Sequence, residues 1–408
     1  MDELERDLGL HGCISKFEKQ FKTKTGNNWF SRDNFVRKPN KYYLTEKHIP
    51  MDDKEIVKEE NVTDDINLNP KVISFLKLVT NVDMLNKTLV SLNIDPKKMP
   101  LGAISSSQLD KADTVLTQIT KLFDEKNIEE KIVELSSEFY TYFPYSCGRL
   151  TKPPIIDNKE LVDKFHENID DLKNLKIAYT TVKQGKSIDS VYKSLNTTIQ
   201  PLDDGDMRKA IEKYVETTVG STHLSMCQIS IVDIYEIERD DHSKKNTSIG
   251  NTMLLWHGTR LSNYVSILQK GLLLNPEIIP GTFVSGKMFG YGIYSADSFS
   301  KSFNYCGCYS PGEEACLFLA EVDLGTPSKR IQSDYYITKD SLAKEGCQST
   351  WGQGKVTVSG CDEVNGVKVP YGPLIDSNVD GAYLQYNEFI VYDTDQLRLK
   401  YIVRVKRM

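Results

Sequence analysis

Residues 254–274, LLWHGTRLSNYVSILQKGLLL, and 283–306, FVSGKMFGYGIYSADSFSKSFNYC, decide how the chain is read. The first opens as an apolar strand, residues 253–256, that runs into His257. A short helix follows over 262–270, with Ser262 placed as N-cap and Gly271 as C-cap. In the second, Gly290-Tyr291-Gly292 reads as a tight turn ahead of a strand carrying Tyr294. This pair of glycines is too short for the GxGxxG dinucleotide fingerprint, and no crossover unit of the Rossmann type follows it. A third stretch, residues 383–393, YLQYNEFIVYD, sets Glu388 inside a strand-like apolar run. Polar groups buried in apolar surroundings are costly without partners, which makes His257 and Glu388 candidates for chemistry.

Working outward, the period changes near residue 203. Downstream, Ile229, Ile231, Asp233, Tyr235 and Ile237 alternate as a strand. Further strands are expected over 292–295, 317–323, 331–337, 388–393 and 401–406, with a short helix over 207–219. Residues 339–360 contain four glycines and read as a flexible loop. Upstream, residues 67–200 read as helices throughout. Val72, Phe75, Leu76 and Val79 form one apolar stripe, and Val82, Leu85, Leu89 and Leu92 another. Ser107 to Asp110 is placed as a capping box, and a long helix runs from Glu160 to about Lys183 with Phe165, Ile169, Leu172, Leu175 and Tyr179 inward. Glu167 and Asp170 share the opposite face of that helix, the pattern of a solvated surface. Residues 51–66 are acidic, poor in large apolar groups, and read as a linker. The fold class is α+β: an all-α bundle followed by a mixed, mostly antiparallel β domain, divided as 1–50, 51–66, 67–200 and 203–408.

Bulk properties narrow the function. The chain has 408 residues, more than one core usually spans, and 39% are hydrophobic. It contains no apolar run of transmembrane length and no signal-peptide pattern, so no membrane role is expected. Eight scattered cysteines do not form a disulfide framework, and Cys306 with Cys308 lacks a second ligand pair, so no metal is expected. The net charge of −6 argues against a nucleic-acid binder as a whole. Between His11 and His48, however, nine Lys/Arg stand against three Asp/Glu. That excess is either a phosphate-contacting patch or a solvated face.

Taken singly, the candidates stay open. His257 is either a satisfied core histidine or a hydroxyl partner, and Tyr294 and Tyr305 are either core aromatics or walls that sandwich a flat ring. Taken together, His257-Gly258-Thr259, the Gly290–Tyr294 turn, Ser302 with Tyr305, and Asn387-Glu388-Phe389 resemble the His–Tyr–Glu set of the poly(ADP-ribose) polymerases. The upstream chain, through the KMPLG run at 98–102 and the IAY run at 177–179, resembles the regulatory helical domain of the DNA-dependent members. Residues 25–29 (TGNNW) and the PNKYY run at 39–43 resemble the end of a WGR domain, although the Trp-Gly-Arg tripeptide itself is not in the chain.

The resemblance implies an NAD-dependent ADP-ribosyltransferase that consumes NAD and builds poly(ADP-ribose) on proteins, itself included, in nuclear DNA repair. It implies catalytic roles for Glu388, His257, Tyr294 and Lys301. It implies NAD contacts from His257, Gly258, Thr259, Asn263, Tyr294, Ser302, Tyr305 and Asp170, acceptor contacts from Met288 and Tyr386, and DNA-break sensing through residues 11–48. Departures are Thr259 where serine is frequent, Asn174 for a second aspartate, and Leu272 and Leu273 where an arginine reaches toward adenosine. A glutamate at position 388 goes with chain formation. Mono-ADP-ribosyl transfer and a non-catalytic NAD- or DNA-end-binding module are the other two readings.

Overall fold

The computed structural model describes residues 10–36, 38–39, 41–42, 44, 68–97, 99, 103–123, 125, 128–147, 151–185, 187–223, 228–240, 249–274 and 288–408. The expected linker and parts of the KMPLG and PNKYY runs lie outside them. Helices occupy the first half: α1 (Leu10–Thr25), α2 (Pro70–Val79), α3 (Val82–Ser91), α4 (Ser106–Leu122), α5 (Glu129–Tyr142), α6 (Lys159–Gln184) and α7 (Ile188–Ser194). Side-chain caps set several starts: Asn69, Asn81 and Asn158 each accept a backbone N–H of the first turn. Strands then take over: β1 (Thr197–Pro201), β2 (Ile229–Arg239), β3 (Thr252–Gly258), β4 (Ile293–Ser295), β5 (Glu314–Asp323), β6 (Pro327–Arg330), β7 (Ser349–Gly352), β8 (Gly354–Val364), β9 (Val367–Asp376), β10 (Leu384–Tyr386), β11 (Glu388–Val391) and β12 (Leu397–Arg407). Between them lie α8 (Asp206–Thr217), α9 (Tyr264–Lys270), α10 (Phe299–Phe303) and α11 (Lys339–Lys344).

Among the described residues, eight strands form one sheet in the order β1-β2-β12-β5-β3-β9-β8-β10, and four form a second in the order β4-β11-β7-β6. Pairing is antiparallel except for β3 with β9, β8 with β10 and β6 with β7. Side chains alternate across the large sheet with the period of two that a pleat imposes. Leu255, Phe318, Ala320 and Ile402 enter a core shared with the helical bundle, whereas Leu254, Trp256, Leu317, Leu319 and Val403 pack under α8 and α10 with Ile211, Tyr214, Phe299 and Phe303. Both faces are covered, so its central strands read as nearly continuous apolar runs.

The bundle and the sheet share that first core instead of abutting as separate bodies. Phe75 of α2 is fully buried, with its ring 5.2 Å from Tyr235 of β2 and 6.1 Å from Tyr264 of α9. Polar contacts tie the same seam. The Tyr235 hydroxyl donates to the Lys71 carbonyl at 3.0 Å, and Arg404 of β12 reaches the Ser74 hydroxyl at 2.9 Å and Glu314 at 2.6 Å.

Several expectations need correction. The run of helices ends at Ser194, and residues 197–201 form β1, which pairs antiparallel with β2 in the large sheet. The capping box lies two residues earlier than expected, at Ser105 and Gln108, since Ser105 rather than Ser107 has the extended backbone of an N-cap. No strand forms over 331–337; the strand is β6, just before it. The supposed loop at 339–360 holds α11, β7 and most of β8, with glycines that serve close strand packing: a β-carbon at Gly354 would run into the backbone of Tyr386. Ser262 does not cap α9, which starts at Tyr264 after a 3-10 turn at Leu261–Asn263. In the basic N-terminal segment, Phe17, Phe21, Trp29 and Phe35 cluster edge to face. There Lys38 and Lys41 donate to the carbonyls of Gly26 and Thr23, so part of the basic excess is spent on local structure.

Because Phe75 links bundle to sheet, Phe75→Ala should cost about 3–5 kcal/mol of stability. Urea denaturation read by circular dichroism checks this, and a loss near zero would show that the seam is not part of the cooperative unit.

Candidate active site

A bridge ties the two sheets beside the cavity. Trp256 N–H donates to Ala296 O at 2.9 Å and Ala296 N–H to Trp256 O at 3.0 Å. This places the end of β3 beside β4, and β4 is paired in register with β11, Tyr294 opposite Ile390. Residues far apart in the chain therefore line one cavity of 440 Å³: His257, Gly258 and Thr259 after β3, Tyr294 on β4, Lys301, Ser302 and Tyr305 around α10, Met288, Glu388 on β11, and Asp170 on α6.

Each polar group is held. His257 Nδ1 bonds the Tyr294 carbonyl oxygen at 2.9 Å, so in the neutral ring the proton sits on Nδ1 and the lone pair on Nε2. The Tyr294 hydroxyl donates to Gly290 O at 2.8 Å and accepts from Phe289 N–H at 3.0 Å, and burial pushes its pKa well up, keeping it neutral. Gly290 has φ +71, and a β-carbon there would run into the Ile337 carbonyl. Gly258, which lines the cavity, also meets a packing demand: a β-carbon would fall on the carbonyl of Ser302, so glycine is what lets α10 seat against β3. Ser302 is buried with its hydroxyl 3.2 Å from Trp256 O, whereas the Tyr305 ring is 58% exposed at the rim.

The charged core is a lysine–carboxylate pair. Lys301 Nζ lies 2.7 Å from Glu388 Oε1 and also faces the carbonyls of Asn387 and Tyr386 at 3.3 and 3.4 Å. Burial pushes the Lys301 pKa down, against the opposing pull of Glu388 and Asp297. Glu388 Oε2 is buried and accepts no hydrogen bond from any described residue. Such an oxygen in a cavity wall is where a ligand hydroxyl would be satisfied.

Two expected contacts point elsewhere. Tyr386 does not line the cavity; it is buried, stacked 4.9 Å from His223, with its hydroxyl on Thr222. Asn263 turns toward α6, donating to Asp171 Oδ1 and to the Thr259 hydroxyl, both at 2.9 Å. Asp171, one residue from the candidate Asp170, also receives Arg260 at 3.0 Å, and Arg260 reaches on to Ser91 of α3. Burial raises the Asp171 pKa, and Arg260 and Asn263 offset it. Sequence reading also missed Asp163, His166 and Asp113 on the same wall. The Asp163 pKa is pushed up to about 7 by burial, whereas a 2.8 Å contact to His166 holds Asp113 below its ordinary value despite burial. Nothing in a helical heptad distinguishes these from surface charges. Among the described residues no cluster of His, Cys, Asp and Glu suits a metal ion, and no helix is long and apolar enough to cross a membrane.

Comparison with known proteins fits this geometry. Residues 66–204 match the regulatory domain of poly(ADP-ribose) polymerase, and residues 207–407 match the poly(ADP-ribose) polymerase catalytic domain. The chain is 33% identical to poly [ADP-ribose] polymerase 2 of Homo sapiens over 409 residues, covering 96% of this chain and 69% of that protein. It is 34% identical to poly [ADP-ribose] polymerase 2 of Zea mays over 420 residues, with 97% and 63% covered. Against poly [ADP-ribose] polymerase 1 of Gallus gallus identity is 33% over 419 residues, 99% of this chain and 40% of that protein. The chain thus spans about 40% of the length of its polymerase 1 relatives.

Gly258→Ala should force α10 off β3. The expected cost is about 1–3 kcal/mol, the usual range for overpacking, with a shifted Trp256 environment in near-ultraviolet circular dichroism. Wild-type stability and spectrum in this variant would refute the packing role given to the glycine.

Proposed function

The chain belongs to the poly(ADP-ribose) polymerase family, and on that footing we propose that it transfers ADP-ribose from NAD to protein acceptors, itself included, and extends the unit into poly(ADP-ribose). One observation carries the reading: Glu388, fixed through one oxygen by Lys301, has a second buried oxygen without a partner among the described residues, in the wall of the His257–Tyr294–Tyr305 cavity. NAD is consumed as a substrate in this reaction. Its nicotinamide ring lies on Tyr305 with Tyr294 as the second wall, and Ser302 and the Gly258 backbone hold the carboxamide. His257 Nε2 and Thr259 bind the adenosine ribose. Glu388 accepts a hydrogen bond from the nicotinamide-ribose 2′-hydroxyl. The bond between C1′ and the nicotinamide nitrogen breaks with its electron pair leaving on nicotinamide. The carboxylate stabilises the oxocarbenium-like centre as it forms, and the acceptor hydroxyl attacks C1′ while its proton passes to the Glu388 carboxylate. Met288 borders the acceptor side.

The helical bundle regulates this site. Asn263 and Arg260, beside the NAD contacts, are engaged by Asp171 of α6, so loosening α6 frees them. This is a population shift in the bundle rather than a change in the sheet. DNA breaks, met through residues 11–48, supply the signal, and the protein works in the nucleus. Transfer of single units is the second reading, favoured by Tyr386 lying off the cavity wall.

With NAD labelled on the adenylate, the chain should give a ladder on a gel. Glu388→Gln should lower turnover by about 10²–10³, the loss typical of removing one charge-stabilising group, while a nicotinamide analogue still raises the melting temperature. A single discrete band would establish single-unit transfer, and an active Glu388→Gln would overturn the role of the carboxylate. Asp171→Ala should raise basal turnover roughly fivefold, equivalent to about 1 kcal/mol. Unchanged basal turnover would sink the α6 restraint.

A further inference from the structure

Behind the cavity wall lies a second carboxylate that the mechanism above does not use. Asp297, between β4 and α10, is 3% exposed. Its Oδ2 accepts the Asn387 side-chain N–H at 2.7 Å. Asn387 is itself buried and fully engaged, with Nδ2 also on the Thr357 hydroxyl at 3.1 Å and Oδ1 accepting Gly354 N–H at 2.9 Å. Asn387 immediately precedes Glu388, and its carbonyl faces Lys301 Nζ at 3.3 Å. Asp297 thus holds the side chain of the residue that precedes Glu388, and its charge acts on the Lys301 ammonium that Glu388 binds.

The charge count gives this arrangement a consequence. Lys301 and Glu388 alone make a neutral pair, and a neutral pair projects a weak field at a nearby developing cation. A second buried carboxylate leaves the trio with one net negative charge. In a poorly solvated site that charge is felt strongly. We propose that Asp297 is a positioning residue of the reaction: it clamps Asn387 beside Glu388 and adds a second buried negative charge behind it, so that Glu388 keeps its hold on the oxocarbenium-like transition state. The proposal rests on the transferase reading of the site. Burial pushes the Asp297 pKa up to about 6, with Asn387 and Lys301 pulling it down. The groups around it are Asn387 before β11, Lys301 of α10, and Tyr214 of α8, whose own pKa burial and Asp297 raise. Thr357 of β8 reaches it through Asn387. The sign follows: Asp297 is ionised and effective above about pH 6, and activity falls as pH drops through that value.

The test is kcat and KM for NAD consumption by the full chain between pH 5 and 9. Asp297→Asn should lower kcat about tenfold at pH 8 with KM for NAD within about twofold, the pattern of an interaction realised in the transition state. The wild type should show an acid limb near pH 6, and that limb should flatten in the variant. Asn387→Ala, which removes the hydrogen bond that lowers the Asp297 pKa, should move the limb to higher pH, and it decides the matter if Asp297→Asn does not fold. An unmoved limb in either variant overturns the proposal, as does a wild-type kcat in Asp297→Asn. A wild type that binds a nicotinamide analogue yet consumes no NAD overturns the transferase reading first, and this inference with it.

Discussion

The pair of hydrogen bonds between Trp256 and Ala296 is the constraint on which the molecule depends. They tie the large sheet to the small one, one residue before His257 and one after Ser295. The sheets also run into each other through Gln353, between β7 and β8, and Asn387, between β10 and β11, but it is this bridge that sets β4 beside β3. With it, the Tyr294 carbonyl reaches the His257 ring, and the strand pairing of β4 with β11 carries Glu388 into the same wall. Glycines at 258, 290 and 292 make the approach sterically possible. Each meets backbone or side-chain atoms where a β-carbon would stand.

The site is a desolvated ionic cluster held on rigid strands. A buried lysine–carboxylate pair is weak support for stability, because withdrawing both charges from water offsets most of their attraction. Its presence at the focus of a cavity, with one carboxylate oxygen unsatisfied by any described residue, is better understood as function. The surrounding apolar strands keep the local dielectric low, and that makes the electrostatics of Lys301, Glu388 and Asp297 strong enough to matter.

The helical bundle contributes in two different ways along its length. At α2 it is welded to the sheet through Phe75, Tyr235 and Tyr264, in one continuous apolar core. At α6 its contact with the site is polar, made by Asp171 on Arg260 and Asn263. Helix α6 also sends Phe165, Ile169, Leu172 and Leu175 into that core, so its polar contact with the site is carried by an element that is itself packed. The contact is lost only if α6 shifts on that apolar face.

The amino-acid sequence by itself determined the elements and the chemical candidates. Period 3.6 in Val72–Val79 and Phe165–Leu175, period two in Ile229–Ile237, and the rarity of polar residues inside apolar runs at His257 and Glu388 are local properties, legible one segment at a time. Only the tertiary structure decided which candidates meet. Tyr386 is expected to contact the acceptor, yet it is packed on His223, while Tyr305 stands at the cavity rim. Asp170 and Asp171 differ by one position, and a rotation of about 100° around the helix sends Asp171 onto Asn263. Asp297 reads as an ordinary turn residue until Asn387, ninety positions away, is found against it. Strand order, the Trp256–Ala296 bridge and the burial of charges are long-range matters. They are set by how apolar faces cover one another, and no periodicity along the chain encodes that covering.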